Sequence, residues 1–187
     1  MAALTIKDLL ETKGKRQLAY VQVAREEEAV AASQAGMDMI GTAFTPERAH
    51  FAKAVPDAHF QFGMPWGKHA SATEVLRDAM AAMNAGAQSV YCGMSPHVVE
   101  VLAREGVPVI CHVRLVPPKA TWTGGYRAVG KSLEQAKLVW QQVQDFEMAG
   151  AFAVELEVVA AGLATEITRR TSMLTISLGS GGGCNAQ

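Results

Sequence analysis

Arg104-Glu105-Gly106-Val107-Pro108-Val109-Ile110 decides the fold. A helical pattern ends at Glu105, a glycine turns the chain, and a β-branched run follows. Glycine supplies the left-handed position just past a helix end without a Cβ penalty. The same joint recurs at Gln34-Ala35-Gly36 before Met37-Asp38-Met39-Ile40, at Asn84-Ala85-Gly86 before Ala87-Gln88-Ser89-Val90-Tyr91, and at Met148-Ala149-Gly150 before Phe152-Ala153-Val154-Glu155-Leu156. Adding 18–23, 60–64 and 174–178 predicts about seven strands alternating with helices, the pattern of right-handed βαβ units in a parallel sheet. The intervening segments carry helical stripes: Val75, Leu76, Ala79, Met80 and Met83 in one, Leu133, Ala136, Val139, Trp140 and Val143 in another. Such stripes read as packing surface.

Periodicity alone does not choose between a closed barrel and an open doubly wound sheet. No Gly-x-Gly-x-x-Gly follows the first strand, which disfavours a dinucleotide-binding sheet. The expectation is a TIM-type (β/α)8 barrel occupying 1–187 as one incomplete α/β barrel domain. Seven strands are visible, and the C-terminal part is missing beyond the run Gly179-Ser180-Gly181-Gly182-Gly183. Without an eighth strand and closing helix, two edge strands are expected to carry unpaired backbone groups.

Composition narrows the function classes. The chain has 187 residues, 49% of them hydrophobic, and a formal net charge of −1. That allows a sizeable core and gives no basic field for nucleic acid or anionic lipid. Cys92, Cys111 and Cys184 are odd in number and widely spaced, unlike a secreted disulfide framework or a zinc ribbon. The reducing cytoplasm fits best. The N-terminus lacks the form of an export signal, and no apolar run reaches the ~18 residues of a membrane span.

In a barrel, chemistry sits at the carboxyl ends of the strands. His112 and Arg114 stand two residues apart at one such end and can share a face while the chain stays extended. The histidine suits acid, base or anion-partner work, or a structural hydrogen bond inside the rim. Glu155 and Glu157 are carboxylates in an otherwise apolar strand, and charges there need a reason. They can face the barrel and partner one another, or form salt bridges to lysine or arginine of a neighbouring strand. Glu157, nearer the carboxyl end, is the better general base. Thr42 and Tyr91, at the ends of strands two and four, join Arg114 as candidate substrate-binding residues.

Three further features are weaker. Gly124-Gly125-Tyr126-Arg127, in a long irregular segment after Pro117-Pro118, reads as a functional lid or an ordinary crossover loop. The run 179–183 can offer backbone N–H groups to an anion, although no lysine accompanies it. The cysteines, all near strand ends, can serve with His112 as soft-metal ligands or remain buried and inert.

At these residues the chain resembles the ketopantoate (3-methyl-2-oxobutanoate) hydroxymethyltransferase family, of the phosphoenolpyruvate mutase and isocitrate lyase superfamily of barrels. The resemblance rests on Val-Pro-Val-Ile-Cys-His-Val-Arg-Leu-Val-Pro from 107, Gly-Gly-Tyr-Arg-Ala-Val-Gly-Lys from 124, and Ala-Gly-Ala-Phe-Ala-Val-Glu-Leu-Glu-Val-Val from 149. It continues through Leu-Ala-Thr-Glu-Ile-Thr-Arg-Arg from 163 and Ile-Ser-Leu-Gly-Ser-Gly-Gly-Gly-Cys-Asn-Ala-Gln from 176. A weaker likeness reaches Thr5-Ile6-Lys7-Asp8-Leu9-Leu10.

The resemblance implies hydroxymethyl transfer from methylenetetrahydrofolate to 3-methyl-2-oxobutanoate, with Mg2+ holding the oxo acid and a glutamate removing the proton beside the carbonyl. Glu157 matches that base and His112 the family's active-site histidine. It also implies large homo-oligomers and a small-molecule carboxylate substrate. The departures concern the metal. The family's aspartate in Gly-Asp-Ser has no counterpart among Gly41-Thr42-Ala43-Phe44-Thr45, its aspartate after strand three falls on Gly63, and its lysine and glutamate after strand four fall on Tyr91 and Gly93. Magnesium needs oxygen ligands, usually one or two carboxylates, so no metal ligand is assigned. His112, Arg114 or Tyr91 is then expected to supply the lost stabilisation of an enolate. Arg114 replaces a family glycine, and Val116 and Pro118 replace a threonine and a glutamine. Two alternatives remain beside an enolate-forming transferase: a metal-independent lyase or decarboxylase, and a non-catalytic binding protein.

Overall fold

The computed structural model describes residues 3–114 and 128–187, with Arg114 described by its backbone alone. Its elements run α1 (Ile6–Glu11), β1 (Tyr20–Gln22), α2 (Glu26–Gln34), β2 (Met39–Ala43), α3 (Phe51–Ala54), β3 (His59–Gly63), α4 (Ala72–Asn84), β4 (Ser89–Cys92), α5 (Pro96–Arg104), β5 (Val109–Arg114), α6 (Leu133–Met148), β6 (Ala153–Glu157), α7 (Ala161–Arg170) and β7 (Leu174–Leu178). All seven strands are parallel and pair in chain order. The four joint glycines adopt the left-handed backbone the sequence predicts, with φ of 83° at Gly36, 109° at Gly86, 77° at Gly106 and 91° at Gly150.

Strand alternation divides the core in two. Ile40, Phe60, Phe62, Val90, Val109, Val113, Val154 and Leu156 pack outward against the helices. Leu18, Met39, Ile110, Ala153, Leu174 and Ile176 point inward, where Leu9 of α1 joins them at the amino end of the barrel. A capping box between Thr5 and Asp8 starts α1 and so fixes that plug. Beside it the inward His59 has Nδ1 2.9 Å from the Leu4 carbonyl oxygen and Nε2 2.8 Å from the Ser89 hydroxyl. Burial lowers its pKa, so the neutral ring donates to the carbonyl and accepts from the serine.

Two helix stripes are narrower than the sequence suggests. In α4 the buried line is Val75, Ala79 and Ala82, while Met80 is exposed. In α6 it is Val139, Val143 and Phe146, and Leu133 is 73% exposed. A helix lying on a sheet buries only the residues along its contact line, and the first turn of α6 stands clear of that line.

The open edges expected of seven strands are not left bare. Residues 185–187 lie between β7 and the β1 side. Ser177 N–H donates to Ala186 O (2.8 Å) and Ala186 N–H to Thr175 O (3.0 Å) on one flank. On the other, Leu18 N–H donates to Asn185 O (2.8 Å), Tyr20 N–H to Gln187 O (3.0 Å) and Gln187 N–H to Leu18 O (3.0 Å). Parallel bridges from Ala186 to Leu18 and to Ile176 give these residues the place of an eighth strand. Cys184-Asn185-Ala186-Gln187 has no β-branched or aromatic residue, so nothing in its composition announced a strand. The glycine run is the return that makes this possible: a Cβ at Gly183 would sit 2.0 Å from Thr165 Oγ1. Ser180 Oγ accepts from Val159 N–H (2.9 Å) and donates to Leu156 O (2.7 Å). Close packing, rather than an anion, accounts for these small residues.

Candidate functional site

The carboxyl end of the barrel gathers polar side chains from β4, β5 and β6. His112 and Glu155 are register partners, as are the backbones of Arg114 and Glu157. The same alternation that sends Cys111, Val113, Val154 and Leu156 to the helices turns His112, Glu155 and Glu157 inward. His112 Nδ1 lies 2.8 Å from the Tyr91 hydroxyl and 3.1 Å from Glu155 Oε1, and its Nε2 lies 3.5 Å from Glu157 Oε2. The imidazole side chain is 2% exposed, against 9% for Glu155 and 13% for Glu157. Glu157 is therefore the carboxylate nearest the opening.

A cavity of about 430 Å³ reaches this group, with Tyr20, Gln22, Tyr91, Glu155, Glu157 and Gln187 among its walls. It is large enough for a small organic acid. Burial raises the Glu157 carboxyl above its ordinary value; His112 opposes the rise and Glu155 adds to it. Burial, then the Glu155 and Glu157 charges, raises the Tyr91 phenol. Burial and the Glu155 charge do the same to Tyr20. Both tyrosines are therefore neutral hydrogen-bonding groups at any physiological pH. The backbone just past Glu157 is unusual: Val158, a β-branched residue, has φ of 53°. It is held there by Val158 N–H donating to Leu178 O (2.9 Å) and Val129 N–H donating to Val158 O (3.0 Å). A bulky residue in that region costs about 1–3 kcal/mol and persists only where its surroundings over-determine it.

The structure brings together Tyr91, His112 and Glu157, three of the five residues named from sequence. Thr42 does not join them. Its hydroxyl donates to the Val23 carbonyl (2.8 Å), one position out of phase with the inward Gly41, so its candidacy for substrate binding is withdrawn. The Arg114 side chain and the segment 124–127 lie outside the described residues. Glu155 partners neither Glu157 nor a lysine or arginine among the described residues; its Oε1 lies 3.1 Å from His112 Nδ1. The cysteines are free and buried, with Cys92 and Cys111 on the helix-facing side. Burial lifts the Cys92 thiol to about 11, so it is held as a neutral thiol on the helix-facing side.

Sequence reasoning missed the floor of the site. Gln22 and Gln61 both donate amide N–H groups to the Tyr20 hydroxyl. Gln61 is fully buried between the outward Phe60 and Phe62. A polar residue inside an apolar strand is the signal that singled out Glu155 and Glu157, and applied to β3 it would have found Gln61.

Magnesium can be tested against the donors present. The positions that the resemblance assigns to the family's ligands fall on Gly63 and Gly93, which offer no side-chain oxygen, and the Thr42 hydroxyl donates to the Val23 carbonyl. A Cβ at Gly63 would lie 3.7 Å from the Tyr91 ring and one at Gly93 3.5 Å from its hydroxyl, ordinary contact distances. The residues there do not fit a magnesium ion. Across the mouth, donor atoms of His112, Glu155 and Glu157 lie within 4.8 Å of one another. That mixed nitrogen and oxygen set suits transition metals better than magnesium, and His112 already contacts both carboxylates.

Comparison with known proteins gives a consistent picture. A family model described as ketopantoate hydroxymethyltransferase matches residues 43–187. The 3-methyl-2-oxobutanoate hydroxymethyltransferase of Caldivirga maquilingensis is 31% identical over 98% of this chain and 78% of that protein. The protein of the same name from Thermococcus kodakarensis is 33% identical over 97% and 72%. Among solved structures, phosphonopyruvate hydrolase, in complex with oxalate and Mg++, superimposes with a TM-score of 0.67 at 12% identity, covering 92% of this chain and 71% of its own. A 2,3-dimethylmalate lyase of the PEP mutase/isocitrate lyase superfamily gives 0.65 at 12% identity, over 91% and 69%. These structural likenesses show a shared fold.

Proposed function

The chain belongs to the ketopantoate hydroxymethyltransferase family, a family of enzymes, and from that premise we propose that it forms the enolate of a small 2-oxo acid for hydroxymethyl transfer. Glu157 is the base that removes the proton from the carbon beside the carbonyl. The observation that carries this reading is its placement: a carboxylate at the end of β6, on the cavity wall, 3.5 Å from an imidazole and with its proton affinity raised by burial. A raised pKa makes a carboxylate a stronger base.

His112 is the second catalytic residue: its Nε2 lies 3.5 Å from Glu157 Oε2, behind the cavity wall that Glu157 forms, where it can exchange a proton with that carboxylate. Tyr91 and Arg114 hold the substrate carboxylate. Methylenetetrahydrofolate is the one-carbon donor that the resemblance implies. Magnesium, the ion the resemblance implies, does not enter this mechanism, because Gly63 and Gly93 offer it no side-chain donor. The same proposal covers a reducing cytoplasmic setting, which three buried free cysteines favour, and the homo-oligomer implied by resemblance. Among the described residues no helix is long and apolar enough to cross a membrane.

Incubation with 3-methyl-2-oxobutanoate in deuterated water tests the reading. Exchange at the carbon beside the carbonyl, followed by proton NMR with Mg2+ and with a chelator, is expected in both conditions. Absence of exchange in both sinks it. The glycines at 63 and 93 also favour a second reading, a metal-independent lyase or decarboxylase on another acid. Turnover of a different 2-oxo or 2-hydroxy acid that survives chelation and is lost in Glu157→Gln would select it. Full retention of the cellular role in Glu157→Ala would instead point to a binding protein.

A further inference from the structure

We infer that Glu155 is a positioning residue that fixes the tautomer and orientation of His112, so that the imidazole nitrogen facing Glu157 is the acceptor for the proton Glu157 removes. This rests on the proposed enolate chemistry, but its geometry is independent of the substrate. Glu155 is opposite His112 in register, and its Oε1 lies 3.1 Å from Nδ1. A carboxylate only accepts hydrogen bonds. The proton of the neutral ring is therefore on Nδ1, donated to Glu155 with the Tyr91 hydroxyl oxygen at 2.8 Å as a second acceptor. Nε2 is left with its lone pair toward Glu157 Oε2 at 3.5 Å, a separation that shortens on loading, as catalytic hydrogen bonds commonly do.

Glu155 lies one inward step deeper on β6 than Glu157. It is the middle residue of the inward series Ala153, Glu155, Glu157 and, with His112, is almost entirely buried. A carboxylate in that position costs desolvation unless it is paired, and the imidazole is the partner the structure gives it. The proton balance is simple. The carbon–hydrogen bond beside the carbonyl breaks, its electron pair passes into the enolate and its proton goes to Glu157. The proton then moves to Nε2, which returns Glu157 to a carboxylate and leaves an imidazolium between two carboxylates. Among the described residues, the groups facing that ring include Tyr91 from β4 and Glu155 and Glu157 from β6; Arg114, on its own strand, is described by its backbone alone. Orientation of a histidine by a buried carboxylate on its other nitrogen is the logic of hydrolytic triads and of metal-bound histidines.

Nitrogen-15 NMR of histidine-labelled protein reads the tautomer directly. The neutral His112 ring of the wild type is expected to carry its proton on Nδ1. In Glu155→Gln, whose amide can donate to Nδ1, the proton is expected on Nε2. The same variant is expected to lose deuterium exchange on the order of a hundredfold in kcat with KM nearly unchanged, and Glu155→Asp to recover part of it. A wild-type ring protonated on Nε2, or a Glu155→Gln protein with the wild-type tautomer and rate, overturns the assignment. The wild-type spectrum decides even if the variant does not fold. Failure of the wild type to exchange the oxo acid would sink the proposed substrate and leave the tautomer result standing.

Discussion

Two arcs of the barrel mouth differ in chemistry. From β2 to β4 the inward positions are Gly41, Gly63, Tyr91 and Gly93, with no charge among them. On β5 and β6 they are His112, Glu155 and Glu157, all more than nine-tenths buried except Glu157. The arcs meet where the Tyr91 hydroxyl touches His112 Nδ1. In the family pattern the first arc holds the metal and the second moves the proton. Because each strand end contributes its own side chains to a barrel site, one task can be lost while the other keeps its residues. Where the pattern implied by the resemblance has carboxylates in the first arc this chain has Gly63 and Gly93, where it has a lysine this chain has Tyr91, and the second arc carries two carboxylates around one imidazole.

The sharpest way to break the contrast is to remove the base from the charged arc. Glu157→Gln keeps shape and hydrogen-bonding capacity while abolishing proton acceptance, so exchange of 3-methyl-2-oxobutanoate is expected to fall about a thousandfold, within the usual span for a general base. A fall of less than tenfold would move the base elsewhere and leave the second arc structural. The assay must be read against pH: a carboxyl raised by burial works only when ionised, so the acidic limb of the wild-type profile is expected to have its midpoint above the ordinary carboxylate value of 4.5.

A smaller effect comes from charging the neutral arc. Neither Gly63 nor Gly93 has positive φ, and the nearest atoms to an added Cβ are 3.7 and 3.5 Å away. Both sites therefore accept a Cβ at ordinary contact distance and without backbone strain. Gly63→Asp with Gly93→Glu is expected to make exchange magnesium-dependent, with roughly tenfold stimulation by the ion, whereas the wild type is expected to change less than twofold on chelation. Equal behaviour of the two proteins with and without Mg2+ would mean that the lost carboxylates are not what separates this chain from a metal enzyme.

Much of this architecture was legible because it follows from local rules. The joint at Gly106 needs a left-handed residue, and the β5 sequence alternates between small apolar side chains and His112 and Arg114, so both the strand and its inward face can be read directly. Thr42 was misread because a strand's carboxyl end does not fix which face a side chain takes; one step of register separates it from Gly41 and sends its hydroxyl to Val23. The role of Glu155 was hidden for a different reason. Its pairing with His112 spans 43 residues of chain and depends on β5–β6 register, which spacing within β6 cannot reveal. The closing segment at Ala186 escaped notice because its pairing comes from barrel geometry and not from strand propensity.

The mildest test returns to Glu157 and asks whether the second arc is built for stability or for chemistry. Burial raises its carboxyl pKa in the fold above the unfolded value. A group so shifted stabilises the fold fully below about pH 4.5 and loses that contribution as pH rises through the folded value, where a charge must be kept in a poorly solvated site. Glu157→Gln removes the charge, so its Tm at pH 7.5 is expected to exceed that of the wild type by about 1–4 °C, the shift a small change in stability gives in a chain of this size. At pH 4 the two proteins are expected to unfold together, since the wild-type carboxyl is then protonated as well. A lower Tm for the variant at pH 7.5 would show the ion pair with His112 outweighing desolvation, and the buried carboxylates would then be accounted for by folding alone.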